Sequence, residues 1–208
     1  MKQEQRYIED IAEIRSMMER SSRFLSLSGL AGIIVGIYAL VGTYIIYQIF
    51  NFHPESILSG EAQFESSSSQ SPKVYLLGLG MLVLAVGTAV YLSAKKAAQK
   101  GERAWNASSR RLLVQMAVPL LAGGILILIL LAKGMIGSIA PLTLIFYGLA
   151  LFNAGNFTYR EVKSLGIIEI ILGLGAAYFM QYGLVIWAIG FGAFHIVYGI
   201  YMHFRYER

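Results

Sequence analysis

The chain alternates between long apolar runs and short polar segments. The apolar blocks approach the length that crosses about 30 Å of hydrocarbon as a helix. Six such blocks occur, at 24–50, 74–93, 112–131, 136–152, 165–179 and 184–202. The pattern predicts an all-α, polytopic transmembrane bundle of six helices. Composition agrees, because only 14% of the 208 residues are charged, whereas soluble domains carry about 25%.

The polar segments divide the chain into three parts. Residues 1–23 are expected to form a cytoplasmic amphipathic helix, 24–204 the transmembrane domain, and 205–208 a short tail. Neither Pro nor Gly occurs before Gly29, so the first helix can run unbroken into the first span. The Ser-rich run before Pro72 predicts a flexible external loop over 51–73. Residues 94–111 form a basic cytoplasmic loop.

Charge fixes the expected orientation. Of 17 Lys and Arg residues, all but Lys73 and Lys133 lie in 1–23, 95–111, 160–163 and 205–208. These segments fall on one side of a six-span chain, which is the positive-inside pattern. Both termini are therefore expected in the cytoplasm. The net charge of +5 then reports topology and some attraction to anionic lipid, and no direct nucleic-acid binding is expected.

The N-terminal segment carries an apolar stripe. Residues at heptad-like spacing would share one face of a helix: Tyr7, Ile11, Ile14 and Met18. With Leu25 included, the stripe spans about two and a half heptads, which is too short to be very stable alone and suits an element that docks a partner or a second copy of the chain. The alternative is a helix lying on the membrane surface, anchored by Met17, Met18 and the Arg residues. The segment lacks the apolar core and cleavage site of a signal peptide.

Two ionisable residues lie inside apolar runs. Glu169 occurs in the fifth block and His195 in the sixth, and a charged residue at such depth costs roughly 2.5–3.5 kcal/mol on insertion scales. A turn of about four residues near 180–183 makes the two helices an antiparallel hairpin, in which residues at equal depth have position numbers summing to about 364. Glu169 and His195 are therefore expected to face each other in the inner half of the membrane.

Glycines flank this pair at matching spacings. Gly166 and Gly173 lie three before and four after Glu169, and Gly192 and Gly199 lie three before and four after His195. The sequence predicts that these glycine faces pack together, because small residues let membrane helices approach closely. Gly32 and Gly36 form a similar stripe on the first span, which can serve packing within the chain or between subunits.

The pair admits two interpretations. It can be a buried hydrogen bond that fixes helix register, or a proton-linked or ligand-binding site, since intramembrane ionisable residues mark pathways. Transporters usually carry several acids and paired broken helices, so transport is the second choice. Asn153 and Asn156, near the inner end of the fourth span, can line a cytoplasm-facing polar pocket, although helix capping there is the simpler expectation.

Enzymatic classes fit poorly. The chain has no cysteine and no His-Glu-x-x-His run, which removes thiol nucleophiles, disulfides and a zinc protease. The one Asp is Asp10, so a pair of membrane aspartates is lacking. His195 and His203 share a helix about 12 Å apart and cannot clamp one haem iron. We expect no catalytic residues, no metal and no cofactor.

The chain also resembles a known group. Its opening, Ile8–Leu30, and the stretches 153–159, 161–166 and 187–192 resemble a family of bacterial membrane proteins common in Bacteroidota, over nearly the whole chain. Repeated Leu-Gly turns are more loosely similar to the six-span acid-resistance membrane family. The first resemblance implies no assigned activity and no catalytic residues. Its members are often encoded beside a small winged-helix regulator, which implies a signalling role.

The leading hypothesis is an integral inner-membrane protein of regulatory, sensory or assembly type. Its partners would be the lipid bilayer and a second copy or another membrane or cytoplasmic protein, docked through the N-terminal stripe. The alternative is a small transporter or channel with a polar site at Glu169 and His195.

Overall fold

A computed structural model describes residues 24–50, 64–101 and 105–207. α1 is Gly29–Tyr44 with a π-helical turn Ile45–Ile49, and α2 is Phe64–Gln99. α3 is Ala107–Ala132, α4 is Ile139–Ala154 after a 3-10 turn Ile136–Ser138, and α5 is Arg160–Tyr178. A 3-10 turn Met180–Tyr182 leads to the C-terminal helix over 183–206, which comprises α-helical Gly183–Trp187, π-helical Ala188–Phe194 and α-helical His195–Tyr206.

The described ranges contain helices and connections and no strand, which confirms the predicted all-α class. Within the described ranges, five helical segments are long and apolar enough to cross a membrane: Gly29–Ile49, Pro72–Gln99, Ala107–Ala132, Ile136–Ala154 and Met180–Tyr206. α5 is not among them. It carries Arg160, Glu161 and Lys163 in its first turn and Glu169 at its centre. The chain is a membrane protein of several apolar helices.

Two boundaries differ from the sequence prediction. Residues 24–28 are not helical, and α1 begins at Gly29. A helix therefore does not run unbroken from the N-terminal segment into the first span. The carbonyls of Phe24, Leu25 and Leu27 accept hydrogen bonds from side chains of other elements, which replace helical bonds.

The Ser-rich segment is the second difference. The sequence predicts a flexible loop up to residue 73, but α2 begins at Phe64 and contains Pro72. Serine is only a few tenths of a kcal/mol less favourable in a helix than the average residue, and extending an existing helix is far easier than starting one. The long apolar run after Pro72 supplies that helix, which continues toward the N-terminus beyond membrane length.

The helices pack in a chain of neighbours. α1 lies against α2 and the C-terminal helix, which also contacts α5 and α4, while α4 packs on α5 and α3. No residue in the most apolar 18-residue window of α2 is buried. The apolar surface of this helix is therefore suited to contact with lipid. The buried apolar core gathers where α1 begins and the C-terminal helix ends; it comprises Phe24, Leu112, Leu151, Ala154, Tyr159, Val162, Leu165 and Met202. We call this the charged end, because Lys96, Glu161 and Glu207 also lie there.

Candidate functional site

Three helices bring one ionisable cluster into the interior. Glu169 lies at the centre of α5, Tyr147 on α4, and His195 where the π-helical segment of the C-terminal helix returns to α-helix. The Glu169 residue is 0% exposed and His195 is 4% exposed. The structure thus brings together the two membrane ionisable residues on which the sequence argument rests.

His195 is held from both ring nitrogens. Its Nδ1 lies 3.0 Å from the carbonyl oxygen of Gly190 and 3.3 Å from Oε1 of Glu169. Its Nε2 lies 3.0 Å from the hydroxyl of Tyr147. Because a carbonyl oxygen only accepts, we assign the hydrogen to Nδ1, and the neutral ring then accepts the Tyr147 O–H at Nε2. The Nδ1–H therefore points into the space between Gly190 and Glu169.

The Glu169 carboxyl is less well satisfied than its neighbours. Among the described residues neither Oε1 nor Oε2 has a hydrogen-bond partner, although Oε1 lies at ion-pair distance from the imidazole. A buried polar group without a partner costs about 1–3 kcal/mol, and a charged one more. A fully satisfied register-fixing bond would not leave both oxygens in this state.

A carboxyl oxygen of this kind can accept a hydrogen bond from a donor, or it can itself carry a proton. Such an unsatisfied buried group calls for an explanation beyond packing. The geometry is therefore compatible with a structural pair and with a proton-linked or ligand-binding site. In the second case Oε2 of Glu169, which lies away from the imidazole contact of Oε1, is the atom available to a ligand or proton.

Aromatic side chains enclose the imidazole on one face. Phe191 stacks on His195 with ring centroids 5.6 Å apart and also packs against Trp187 at 4.9 Å. The indole N–H of Trp187 donates to Thr143 at 3.1 Å, which ties the C-terminal helix to α4. Tyr147 was not identified from the sequence, but the spacing Trp187, Phe191, His195 is a signal that could have located the aromatic wall.

Gly190 is required by the site. A Cβ at this position would lie 2.6 Å from Oε2 of Glu169 and 2.7 Å from Cδ2 of the buried Leu144. The carbonyl of the same residue holds His195 Nδ1. The π-helical segment thus brings one backbone unit against both the carboxyl and the imidazole, and π-bulges are frequent at functional sites.

The helix-packing glycines do not meet as the sequence predicts. A Cβ on Gly166 would contact Phe152 and Gly148 of α4, and one on Gly173 would contact Ile145 and Pro141 of the same helix. The glycines of α5 therefore face α4 and not the C-terminal helix. The position sum indicates depth, but it does not indicate which neighbour each glycine face meets.

Gly192 and Gly199 of the C-terminal helix face α1. A Cβ on Gly199 would lie 2.6 Å from the Gly29 carbonyl, one on Gly32 3.2 Å from Gly199 Cα, and one on Gly36 2.7 Å from the Gly192 carbonyl. Gly32 and Gly36 thus serve packing within the chain. The prediction that the glycine face of α5 packs against the glycine face of the C-terminal helix is wrong.

Two asparagines expected near the inner face lie at the end of α4. Asn156 is exposed, and its Oδ1 accepts a hydrogen bond from the Lys163 ammonium at 3.3 Å. Asn153 is half-buried, and its carbonyl accepts the backbone N–H of Asn156 at 3.2 Å. Their described contacts belong to the turn between α4 and α5, and the polar pocket stays a prediction.

The charged end holds a second cluster that sequence reasoning missed. Oε1 of Glu207 accepts hydrogen bonds from the backbone N–H of Gly29 at 2.8 Å and from the Lys96 ammonium at 2.9 Å. Its Oε2 pairs with Nδ1 of His203 at 2.5 Å. From sequence, Lys96 counted only as a topology signal and Glu207 belonged to a short tail.

Other predictions fall elsewhere. The stripe residues Tyr7, Ile11, Ile14 and Met18 lie outside the described residues. Within the described ranges, no three His, Cys, Asp or Glu side chains come together in a way that could hold a metal ion.

Comparisons with protein-family models, curated proteins and solved structures gave no match for this chain.

Proposed function

We propose that this chain is an integral protein of the bacterial inner membrane with six spans and both termini in the cytoplasm. Its role is regulatory, sensory or assembly-related, and it docks a protein partner or a second copy through Tyr7, Ile11, Ile14 and Met18. The proposal assigns it no catalytic residues and no cofactor. The resemblance to the Bacteroidota family with its adjacent regulators supports the signalling element of this proposal.

One observation carries the docking proposal. The segment 24–28, which links the N-terminal stripe to α1, is bonded to the bundle by side chains at 2.6 Å from Thr158, Tyr159 and Lys96. A simple membrane leader needs no such attachment. Because the link is fixed, a partner held by the N-terminal segment would be held in a defined position relative to the helices.

Removing the stripe tests docking. Substituting Tyr7, Ile11, Ile14 and Met18 by Ser in the full chain, or deleting residues 1–20, should abolish retention of the partner or of the homo-oligomer. The measurement is native mass spectrometry after gentle extraction from the membrane. The matched control replaces Ile8 and Met17, which are apolar but off the stripe, and should retain the complex.

Two results would contradict docking. Unchanged assembly after deletion of residues 1–20 would remove the role altogether. Equal effects of stripe and off-stripe substitutions, with the purified segment binding anionic vesicles, would assign residues 1–23 to the membrane surface instead.

A second candidate function is proton-linked transport through a small polar site. The observation that favours it is the Glu169 carboxyl, which is buried and without a hydrogen-bond partner among the described residues. Glu169→Gln should eliminate proton uptake into proteoliposomes under an imposed pH gradient, read from an enclosed pH-sensitive dye. The helical content should be unchanged. Glu161→Gln, an acid on the same helix at the charged end, is the control. If Glu169→Gln lowers only stability, the pair is structural.

A further inference from the structure

Residues 24–28, which we call the strap, lie outside any helix but inside the fold. Phe24 is 7% exposed and Ser26 is 0% exposed. The N–H of Phe24 donates to the Phe157 carbonyl at 2.8 Å, and its carbonyl accepts from Thr158 at 2.6 Å. The Leu25 carbonyl accepts from both Tyr159 and Lys100. Side chains from α2 and from the α4–α5 connection therefore hold the strap along its length.

Lys96 and Glu207 close this arrangement. The Lys96 ammonium donates to the Leu27 carbonyl at 2.6 Å and to Oε1 of Glu207 at 2.9 Å. The same carboxylate oxygen accepts the N–H of Gly29, the first residue of α1. Ser28, the residue in the capping position, makes no side-chain cap bond. A carboxylate 178 positions away therefore caps α1 and neutralises its positive end.

The pair is more than a surface salt bridge. Each side chain is only 11% exposed, and each makes hydrogen bonds to backbone groups of the strap or of α1. Bonds of this kind to charged groups are roughly twice as strong as neutral ones. Removing Glu207 leaves the Lys96 ammonium mostly buried without its carboxylate, which is strongly unfavourable. Removing Lys96 leaves Oε1 of Glu207 with only the Gly29 N–H, while Oε2 keeps its bond to His203. Lys96 and Glu207 are therefore expected to act as a unit.

We propose that Lys96 and Glu207 form a latch that holds the strap closed on the bundle and couples the N-terminal segment 1–23 to α2 and the C-terminal helix. A partner that pulls residues 24–28 away from the bundle must open the latch. The latch thus sets the free-energy difference between a closed and a released strap. Only this consequence for docking rests on the proposed function; the latch itself is a property of the bundle.

Opening is expected to be cooperative. The strap is bonded to α2 through Lys96 and to the α4–α5 connection through Tyr159. Lys96 is in turn bonded to Glu207, which follows the C-terminal helix and caps α1 at Gly29. Freeing the Gly29 N–H alone would leave Lys96 and Glu207 paired beside an uncapped helix end. The amides of Phe24 and Gly29, whose acceptors are Phe157 and Glu207, should therefore lose protection together.

Hydrogen–deuterium exchange on the full chain in lipid nanodiscs tests the latch. Lys96→Gln and Glu207→Gln should each accelerate exchange at Phe24 and Gly29 by roughly 10- to 100-fold, the range expected for losing a hydrogen bond to a charged group. Amides of α4, such as Leu151, should keep their protection. The matched control is Lys163→Gln, a lysine at the same end that bonds Asn156 rather than the strap.

Three results would overturn the proposal. Exchange at Phe24 and Gly29 can be unchanged in both variants, or α4 can accelerate equally, which would indicate global destabilisation. The double variant can also exchange much faster than either single variant, which would mean that the two residues act independently. Failure of the latch would leave the stripe-substitution test of docking unaffected, so the two proposals are distinguishable.

A second measurement leaves the latch residues intact. The chain has no cysteine, so Ser26→Cys introduces a single thiol inside the strap. In the closed latch it should react with a maleimide at least tenfold more slowly than Trp105→Cys, whose parent residue is 68% exposed. Equal labelling rates would show that the strap is open in the resting protein and would overturn the latch.

Discussion

At the scale of single residues, the polar cluster depends on a position with no side chain. A Cβ on Gly190 would clash with Oε2 of Glu169 and with Leu144, both of which are 0% exposed. Because neither neighbour can move into solvent, the helix or the carboxyl has to shift. The shift would also displace the Gly190 carbonyl from His195.

Gly190→Ala should therefore lower the free energy of unfolding by about 1–3 kcal/mol, the usual cost of overpacking. Gly175→Ala is the matched control, because a Cβ on this α5 glycine meets no atom within 4 Å. Its effect should be close to zero or slightly stabilising. Reversible unfolding in detergent, followed by circular dichroism, gives the comparison. Equal stability of the two variants would contradict the packing around Glu169.

A second residue-scale prediction concerns pH. Burial by itself would raise the pKa of Glu207. Hydrogen bonds from His203, Lys96 and the Gly29 N–H outweigh that effect and lower the pKa from 4.5 to about 2. A carboxyl with a lowered pKa stabilises the folded state fully above its ordinary value, and this stabilisation is lost as the pH falls through the folded value.

Between pH 4.5 and 2 the protein should lose up to about 3 kcal/mol of unfolding free energy through this one carboxyl. Glu207→Gln should lack that component and be less stable near neutral pH. Unfolding measured at several acid pH values in a zwitterionic detergent tests this. The prediction is wrong if the two proteins show parallel pH profiles.

At the scale of helices, glycines decide which surfaces meet. α1 and the C-terminal helix approach so closely that a Cβ on Gly199 would lie 2.6 Å from both the Gly29 carbonyl and the Ile33 N–H nitrogen. These are backbone atoms, and they cannot rotate away as the end of a side chain can. The contact therefore sets the distance between the two helix axes.

Gly199→Ala should separate α1 from the C-terminal helix and destabilise the fold by about 2–3 kcal/mol, at the upper end of overpacking effects. Gly87→Ala, on the exposed part of α2 with no atom within 4 Å, should have little effect. Thermal unfolding of both variants in the same lipid nanodiscs is the measurement. Comparable stability of the two variants would contradict the close approach of α1 to the C-terminal helix at Gly199.

At the scale of the whole molecule, the number of helices that cross the bilayer depends on α5. α5 is charged at its start and buried at Glu169, and it is not among the five helices that qualify as spans by length and composition. It is nonetheless packed between α4 and the C-terminal helix. Protein on these sides can shield its polar groups from lipid, which makes a crossing by α5 physically acceptable.

Labelling from the two sides of the membrane decides the topology. In this cysteine-free chain, Trp105→Cys and Arg160→Cys should react only from the cytoplasmic side, and Lys133→Cys and Tyr178→Cys only from the opposite side. An impermeant maleimide applied to right-side-out and inverted vesicles provides the readout. If Tyr178→Cys labels on the same side as Arg160→Cys, α5 does not cross and the six-span proposal is wrong.

The sequence by itself determined the helical class and the approximate position of each membrane-length helix. These depend on local quantities: the length of an apolar run, its charge content and the placement of Gly and Pro. The depth of Glu169 relative to His195 followed from the short turn near residue 181, because two antiparallel helices rise by the same amount per residue. Such properties depend on one helix or on two helices joined by a short turn, and not on how other helices pack against them.

The tertiary structure alone decided which faces meet. Gly166 and Gly173 of α5 face α4, and Gly192 and Gly199 of the C-terminal helix face α1. Several glycine faces compete for partners, and only the complete packing selects among them. The π-helical segment before His195 alters the side-chain directions that a regular helical period implies. The cap on α1 comes from Glu207, a contact between the two ends of the described chain, which no local pattern of residues specifies.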